Sequence, residues 1–210
     1  MVKKAVKKTS KKAIAADHST EEKIKEAAQR VFIRKGFAAT TTREISDEAG
    51  INYALLHYYF RSKEKLFDIV AQERAAVFFG GIYPIINDET TSLDEKIDGI
   101  VKYYTELLIA EPGLELFVLS EMQNRPERIS ELMKANRGLT KAVIARQLKD
   151  ARPDIHPMQL LMSMLGMILF PFIGKELFQQ TMDMEKTAFT KMLKERVKLL
   201  PPLIKTMIGI

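Results

Sequence analysis

Cysteine and tryptophan are absent from the 210 residues, and histidine occurs three times, at His18, His57 and His156. Without cysteine there is no disulfide framework, no thiolate zinc site and no cysteine nucleophile. A glycine-rich phosphate loop, a nucleophile elbow and a metal-spaced His/Asp/Glu cluster are also missing, so the chain is not expected to be an enzyme or to hold a metal or cofactor. Long hydrophobic runs are wanting too. The longest, Leu160 to Ile173, covers 14 residues and includes Ser163, Gly166 and Pro171, short of the roughly 20 needed to cross a bilayer. It reads as a buried helix, and no membrane partner is expected.

What is present is ordinary globular material, 46% hydrophobic and 29% charged, of a length that suits a small domain packed on a larger one. The net charge of +6 is unevenly placed. Residues 1–65 carry 15 Lys/Arg against 8 Asp/Glu, six of those lysines within the first 12 residues, whereas residues 66–210 carry 18 against 19. A basic N-terminus favours polyanions without choosing between nucleic acid and anionic membrane. Nothing in it reads as a secretory signal, and a cytoplasmic, nucleoid-associated location is the expectation.

Residues 1–17 are Lys-rich and aperiodic and read as a disordered basic arm. Order is expected from Ser19, where Ser19-x-x-Glu22 has a capping-box pattern and Ile24, Ala27, Ala28, Val31 and Phe32 share one helical face. Gly36 closes this helix, predicted over Thr20 to Lys35. A second capping box, Thr41-x-x-Glu44, opens a short helix to Ala49. Gly50 breaks it, and Asn52 caps another, with Ile51 and Leu56 closing a small core on Ile45. Two short helices joined by a tight turn make a helix-turn-helix. Ser62 caps a connector helix running to about Phe79. Further helices follow near Leu93 to Ala110, Gly113 to Met122, Pro126 to Lys149, Pro157 to Phe178 and Met184 to Leu200, punctuated by Pro112, Pro126, Pro153 and Pro201-Pro202. No strand is predicted.

The segment Thr40 to Phe67, TTTREISDEAGINYALLHYYFRSKEKLF, resembles the tetracycline-repressor (TetR) family: a threonine cap, an Ile-x-x-x-Ala-Gly-Ile turn, a short aromatic-rich recognition helix and Phe-x-Ser-Lys-Glu-x-Leu. The resemblance implies an all-α fold of about nine helices, with a three-helix DNA-binding domain at residues 18–65 and a ligand-binding and dimerisation domain at 66–210. A recognition helix enters the major groove by its N-terminus. Tyr53, Ala54 and Leu55 are therefore candidates for base contact, the last two against thymine methyls. Arg43 could reach a base or phosphate. Asn52 lies at the same helix start, and phosphate contacts would come from Thr41, Thr42, His57, Tyr58, Tyr59 and Lys63. The family usually has tyrosine where His57 stands. Phe60 reads as a core aromatic, and Arg61 with Lys63 at the start of the connector helix as a further anion site.

For the larger domain the resemblance implies a homodimer through the last two long helices, meeting a palindromic double-stranded DNA operator. Apolar side chains run almost all round Leu160 to Phe172, as a helix buried on every side requires. A pocket for a small apolar effector is placed at Tyr103, Phe117, Met122, Met162 and Phe170, with Glu121 and Arg125 as polar anchors. The expected function is a transcriptional regulator, a repressor released from its operator by that effector. The alternative is a DNA-binding or architectural dimer with no ligand response.

Overall fold

The structure, a computed structural model, describes residues 2–135 and 141–210, and for residues 2–18, 132 and 135 the backbone alone. Twelve helical segments and no strand occur among the described residues. They fall into two compact units, Met1–Glu73 and Arg74–Ile210, divided within the connector helix, further along it than Lys65.

In the first unit α1 (Val2–Ala39) starts well ahead of the expected Thr20. Helical backbone runs through the residues read as an arm, because lysine and alanine are strong helix formers. Ser19 and Glu22 consequently lie inside a helix and cap nothing. The side chains of the basic arm lie outside the described residues. Gly36 does break α1, at φ 75° and ψ 167°, a conformation that costs glycine little. Next come α2 (Thr42–Ala49), α3 (Tyr53–Phe60) and α4 (Lys63–Gly80). Their shared core is Ile24, Ala27, Ala28, Val31, Phe32, Ile45, Leu56, Phe60, Leu66 and Val70, all buried. Every member of the expected face of α1 is among them.

The second unit holds the end of α4 and α5 (Ile82–Asn87), α6 (Leu93–Ala110), α7 (Leu114–Asn124), α8 (Pro126–Ala135), α9 (Val143–Ala151), α10 (Pro157–Ile173), α11 (Lys175–Thr181) and α12 (Lys186–Ile208). Helix α12 lies along α6, and Lys205 bridges Asp98 at 2.9 Å and Asp94 at 3.4 Å. One apolar core joins Phe78, Ile97, Val101, Leu108, Leu148, Phe189 and Ile204.

Three expectations for this unit are corrected. The helix foreseen over Pro126 to Lys149 is two, α8 and α9. Pro157 to Phe178 is broken at Gly174, where α10 and α11 bend by 59°. Helix α12 does not stop at Leu200 but continues through Pro201-Pro202 to Ile208. Two missing N–H donors would ordinarily end a helix; here Leu200, Pro201, Ile204 and Ile208 are all buried, and that packing holds the last turns in line.

By length and apolarity alone, Lys63–Asn87 and the bent α10–α11 pair could each cross a membrane. Yet Phe78, Phe79, Ile82 and Ile86 of the first belong to the protein core, which accounts for their hydrophobicity. Helix α10 is buried on one side only: Leu160, Met164, Ile168 and Phe172 face inward, whereas Met162 and Phe170 are 53% and 60% exposed. The expectation of burial all round is therefore met on one face within a single chain.

Candidate nucleic-acid interface and apolar cavity

Local chemistry builds the helix-turn-helix. The Thr41 hydroxyl accepts the Glu44 N–H, and the Glu44 carboxylate accepts the Thr41 N–H at 2.9 Å, the reciprocal pairing of a capping box. Gly50 ends α2 in the left-handed region, φ 65°, which only glycine enters freely. Asn52 Oδ1 then accepts the Ala54 N–H at 2.8 Å and starts α3. Ion pairs tie α2 to α1: Lys35 to Glu44, and Glu48 to Arg30 at 2.9 Å and Arg34 at 3.1 Å. The Lys35 ammonium, with the Thr41 amide and hydroxyl, holds the Glu44 carboxyl down at about 2.

Helix α3 is divided sharply. Leu56 and Phe60 are buried and fix it to the core, as expected of Phe60. Tyr53, Ala54, Leu55, His57 and Tyr58 are all exposed, Tyr53 by 47% and Tyr58 by 75%, and Tyr59 is half-buried against Tyr58 at 5.4 Å. With exposed Thr41, Arg43 and Asn52 and half-buried Thr42, ten of the eleven residues proposed for DNA contact flank the start of α2 or lie on α3 and its cap. Such a surface suits a groove: aromatic and hydroxyl donors on a protruding helix N-terminus.

Lys63 is the eleventh and is placed differently. Its Nζ donates to the carbonyls of Phe37 and Thr40, both at 2.9 Å, and sits 4.4 Å above the Phe37 ring. The ammonium therefore caps the carbonyls at the kinked end of α1, a role that sequence spacing could not reveal because its partners lie 23 and 26 residues away. The expected Arg61 and Lys63 anion site is reduced to Arg61. That residue is exposed and takes a positive φ of 61° in ending α3, a strained backbone for a residue with a side chain. The Ser62 cap is as expected, its hydroxyl accepting the Lys65 N–H at 3.2 Å.

In the second unit an apolar cavity of about 70 Å³ opens between α4, α5, α6, α8, α9 and α10. Phe79, Ile100, Tyr104, Leu148, Leu160 and Met164 form its buried wall. None of the residues foreseen for a pocket lines it. Met122, Met162 and Phe170 are exposed, Phe117 is in the core, and Glu121 is buried in an ion pair with Arg125 at 3.2 Å. Tyr103 lies behind the wall, its hydroxyl donating to the Val77 carbonyl at 3.2 Å. It approaches Gly81 so closely that a Cβ there would come within 2.2 Å of the hydroxyl. The helical period found the right element, α6, but chose the neighbour of the lining residue Tyr104.

The comparisons agree with this arrangement. Residues 24–70 match the family of bacterial regulatory proteins, tetR family. The HTH-type transcriptional repressor KstR2 of Mycolicibacterium smegmatis is 33% identical over 82 residues, 39% of this chain and 40% of that protein. The "Probable HTH-type transcriptional regulator YttP" of Bacillus subtilis is 24% identical over 193 residues, 86% of this chain and 91% of its own. Among solved structures, FadR of Bacillus subtilis in complex with stearoyl-CoA superposes with a TM-score of 0.62 at 18% identity, covering 85% of this chain and 96% of that one. Residues 24–70 are therefore a TetR-family DNA-binding segment, and the relatives and the neighbour named here are transcriptional regulators.

Proposed function

We propose that the protein is a repressor that binds a palindromic operator as a homodimer and leaves it when a small apolar effector enters the second unit. The observation that carries this reading is the division of α3, with Leu56 and Phe60 anchored and Tyr53 through Leu55 exposed at the helix start. Base contacts then fall to Tyr53, Ala54 and Leu55, and phosphate contacts to Thr41, Thr42, Arg43, Asn52, His57, Tyr58 and Tyr59, with Arg61 added and Lys63 withdrawn.

A second copy would cover the apolar face left open on α10, α11 and α12, where Met162, Phe170, Leu177, Leu199, Leu203 and Met207 are exposed. Exposed apolar residues gathered on neighbouring helices mark association surfaces. The effector would act through α4, whose last turns enter the core of the second unit. Phe79 lines the cavity, the Phe78 ring stacks 4.5 Å from Tyr104, and Val77 is held by Tyr103. A ligand that spreads this wall favours a different setting of α4 and lowers operator affinity by its preference for that state. The small volume of the cavity is the one feature favouring the alternative, a dimer that binds DNA without responding to a ligand.

Selection of bound fragments from random DNA, with salt-dependent affinities for the selected and scrambled sequences, tests the reading. A palindromic site whose preference is lost in Tyr53→Ala is the expected result. Equal affinity for every sequence would overturn it.

A further inference from the structure

Helix α10 carries a proline in its interior, Pro171, three residues before the break at Gly174 where the chain bends by 59° into α11. Proline has no N–H, so the carbonyl four residues back, that of Met167, loses the donor that an α-helix would give it. A side chain from another helix takes the vacant place. Arg196 of α12 donates from Nη2 to the Met167 oxygen at 2.8 Å, across 29 residues of sequence.

The position of Arg196 on its own helix is a second observation. Leu199 and Leu203 follow it by three and seven residues and so share its stripe of α12, and they are 61% and 59% exposed. A guanidinium, always charged in proteins, therefore stands in line with apolar residues on the face that a second copy would cover, where an unpaired charge is costly to bury. Its side chain is already half-buried, and burial pulls its pKa downward. On α10 the carbonyl it meets lies between Met162 and Phe170, the exposed apolar residues before and after it.

We propose that Arg196 is a positioning residue: it supplies the hydrogen bond that Pro171 withholds, and in doing so fixes the exposed apolar faces of α10 and α12 as one surface for the second copy. This rests on the reading of that face as the homodimer contact. One contact meets two needs, a helical carbonyl without its N–H and a cation within an apolar stripe. A charged donor also makes a stronger hydrogen bond than a neutral one.

The test compares four full-length proteins: the parent, Arg196→Ala, Pro171→Ala and the double variant. Sedimentation gives the dimer dissociation constant, and thermal unfolding is followed at one fixed concentration. Pro171→Ala returns an N–H to the Met167 carbonyl and so removes the need for Arg196. In the parent, Arg196→Ala is expected to raise the dimer dissociation constant about tenfold and lower the melting temperature by about 2 °C or more. In the Pro171→Ala background the same change is expected to do neither. The difference between the two backgrounds isolates the bond to the carbonyl from the bulk and charge of Arg196. Equal effects in both backgrounds would overturn the proposal, as would an unchanged or lower dissociation constant for Arg196→Ala in the parent. Should Arg196→Ala not fold alone, folding of the double variant supports the proposal and failure of both overturns it. The dimer reading fails in another way: the parent is monomeric, or its dimer is indifferent to Leu203→Asp, with the coupling between positions 171 and 196 intact in the melting temperatures.

Discussion

The two units of this chain are held together by different means. The first relies on directional polar chemistry at short range: a reciprocal capping box, an asparagine cap, a left-handed glycine and three ion pairs between α1 and α2 fix where each helix starts and how α2 lies. The second relies on an extended apolar core, with few side-chain caps on its later helices. Each unit nonetheless uses one lysine in the same unexpected way. Lys63 caps the carbonyls of Phe37 and Thr40, and Lys96, 1% exposed, caps those of Asp88 and Thr91 at 2.5 and 2.6 Å. A positive charge in a DNA-binding protein is therefore not evidence of DNA contact until its partners are known.

The largest effect should come from the apolar unit. Phe189 is fully buried, and Phe189→Ala should cost about 3–5 kcal/mol, a cavity-forming truncation with nothing to refill the space. Denaturant unfolding checks this, and a destabilisation below about 1 kcal/mol would mean that the second unit is loosely packed. In the first unit the matching experiment is functional. Tyr53→Ala should leave the melting temperature nearly unchanged, since the side chain is half exposed, while preference for operator over scrambled DNA falls by about tenfold or more.

Lys63 sharpens the contrast further. Lys63→Met removes a cation from two carbonyls and should destabilise the first unit by roughly 1–2 kcal/mol, with the salt dependence of operator binding unaltered. Arg43→Ala should do the reverse, leaving stability alone and lowering the salt slope by about 0.9 for each phosphate that Arg43 neutralises. A reduced slope for Lys63→Met would return that residue to the phosphate-binding set.

What is legible in the sequence follows the same division. Gly50, Asn52, Thr41 and Ser62 act within three residues of themselves, so their spacing is sufficient, and the two faces of α3 follow from Leu56 and Phe60. The cavity is not legible. Helical periodicity reports that Tyr103 and Tyr104 are both near a core, but which of them meets empty space depends on how α5, α8, α9 and α10 converge. The run through Pro201 and Pro202 escapes the sequence for a related reason: local chemistry argues for a stop, and burial of Ile204 and Ile208 overrules it.

The smallest predicted effect separates the units by sign. Glu44 is held at about 2 in the folded chain against 4.5 when unperturbed, first by Lys35 and then by Thr41. Its stabilisation is thus present above pH about 4.5 and lost as the pH falls towards about 2. Glu115, on α7, behaves oppositely. It is 8% exposed, its Oε2 has no hydrogen-bond partner among the described residues, and burial raises its carboxyl. A raised folded value gives a contribution that is complete below the unfolded value and is lost as pH rises through the folded one. Glu44→Gln should therefore flatten the acid side of a plot of melting temperature against pH, modestly because the pair is open to solvent and screened by salt. Glu115→Gln should instead raise the melting temperature near neutral pH and leave the strongly acid end unchanged. The same plot for both variants decides the matter: a lower melting temperature for Glu115→Gln at neutral pH would show that its carboxylate is satisfied in solution.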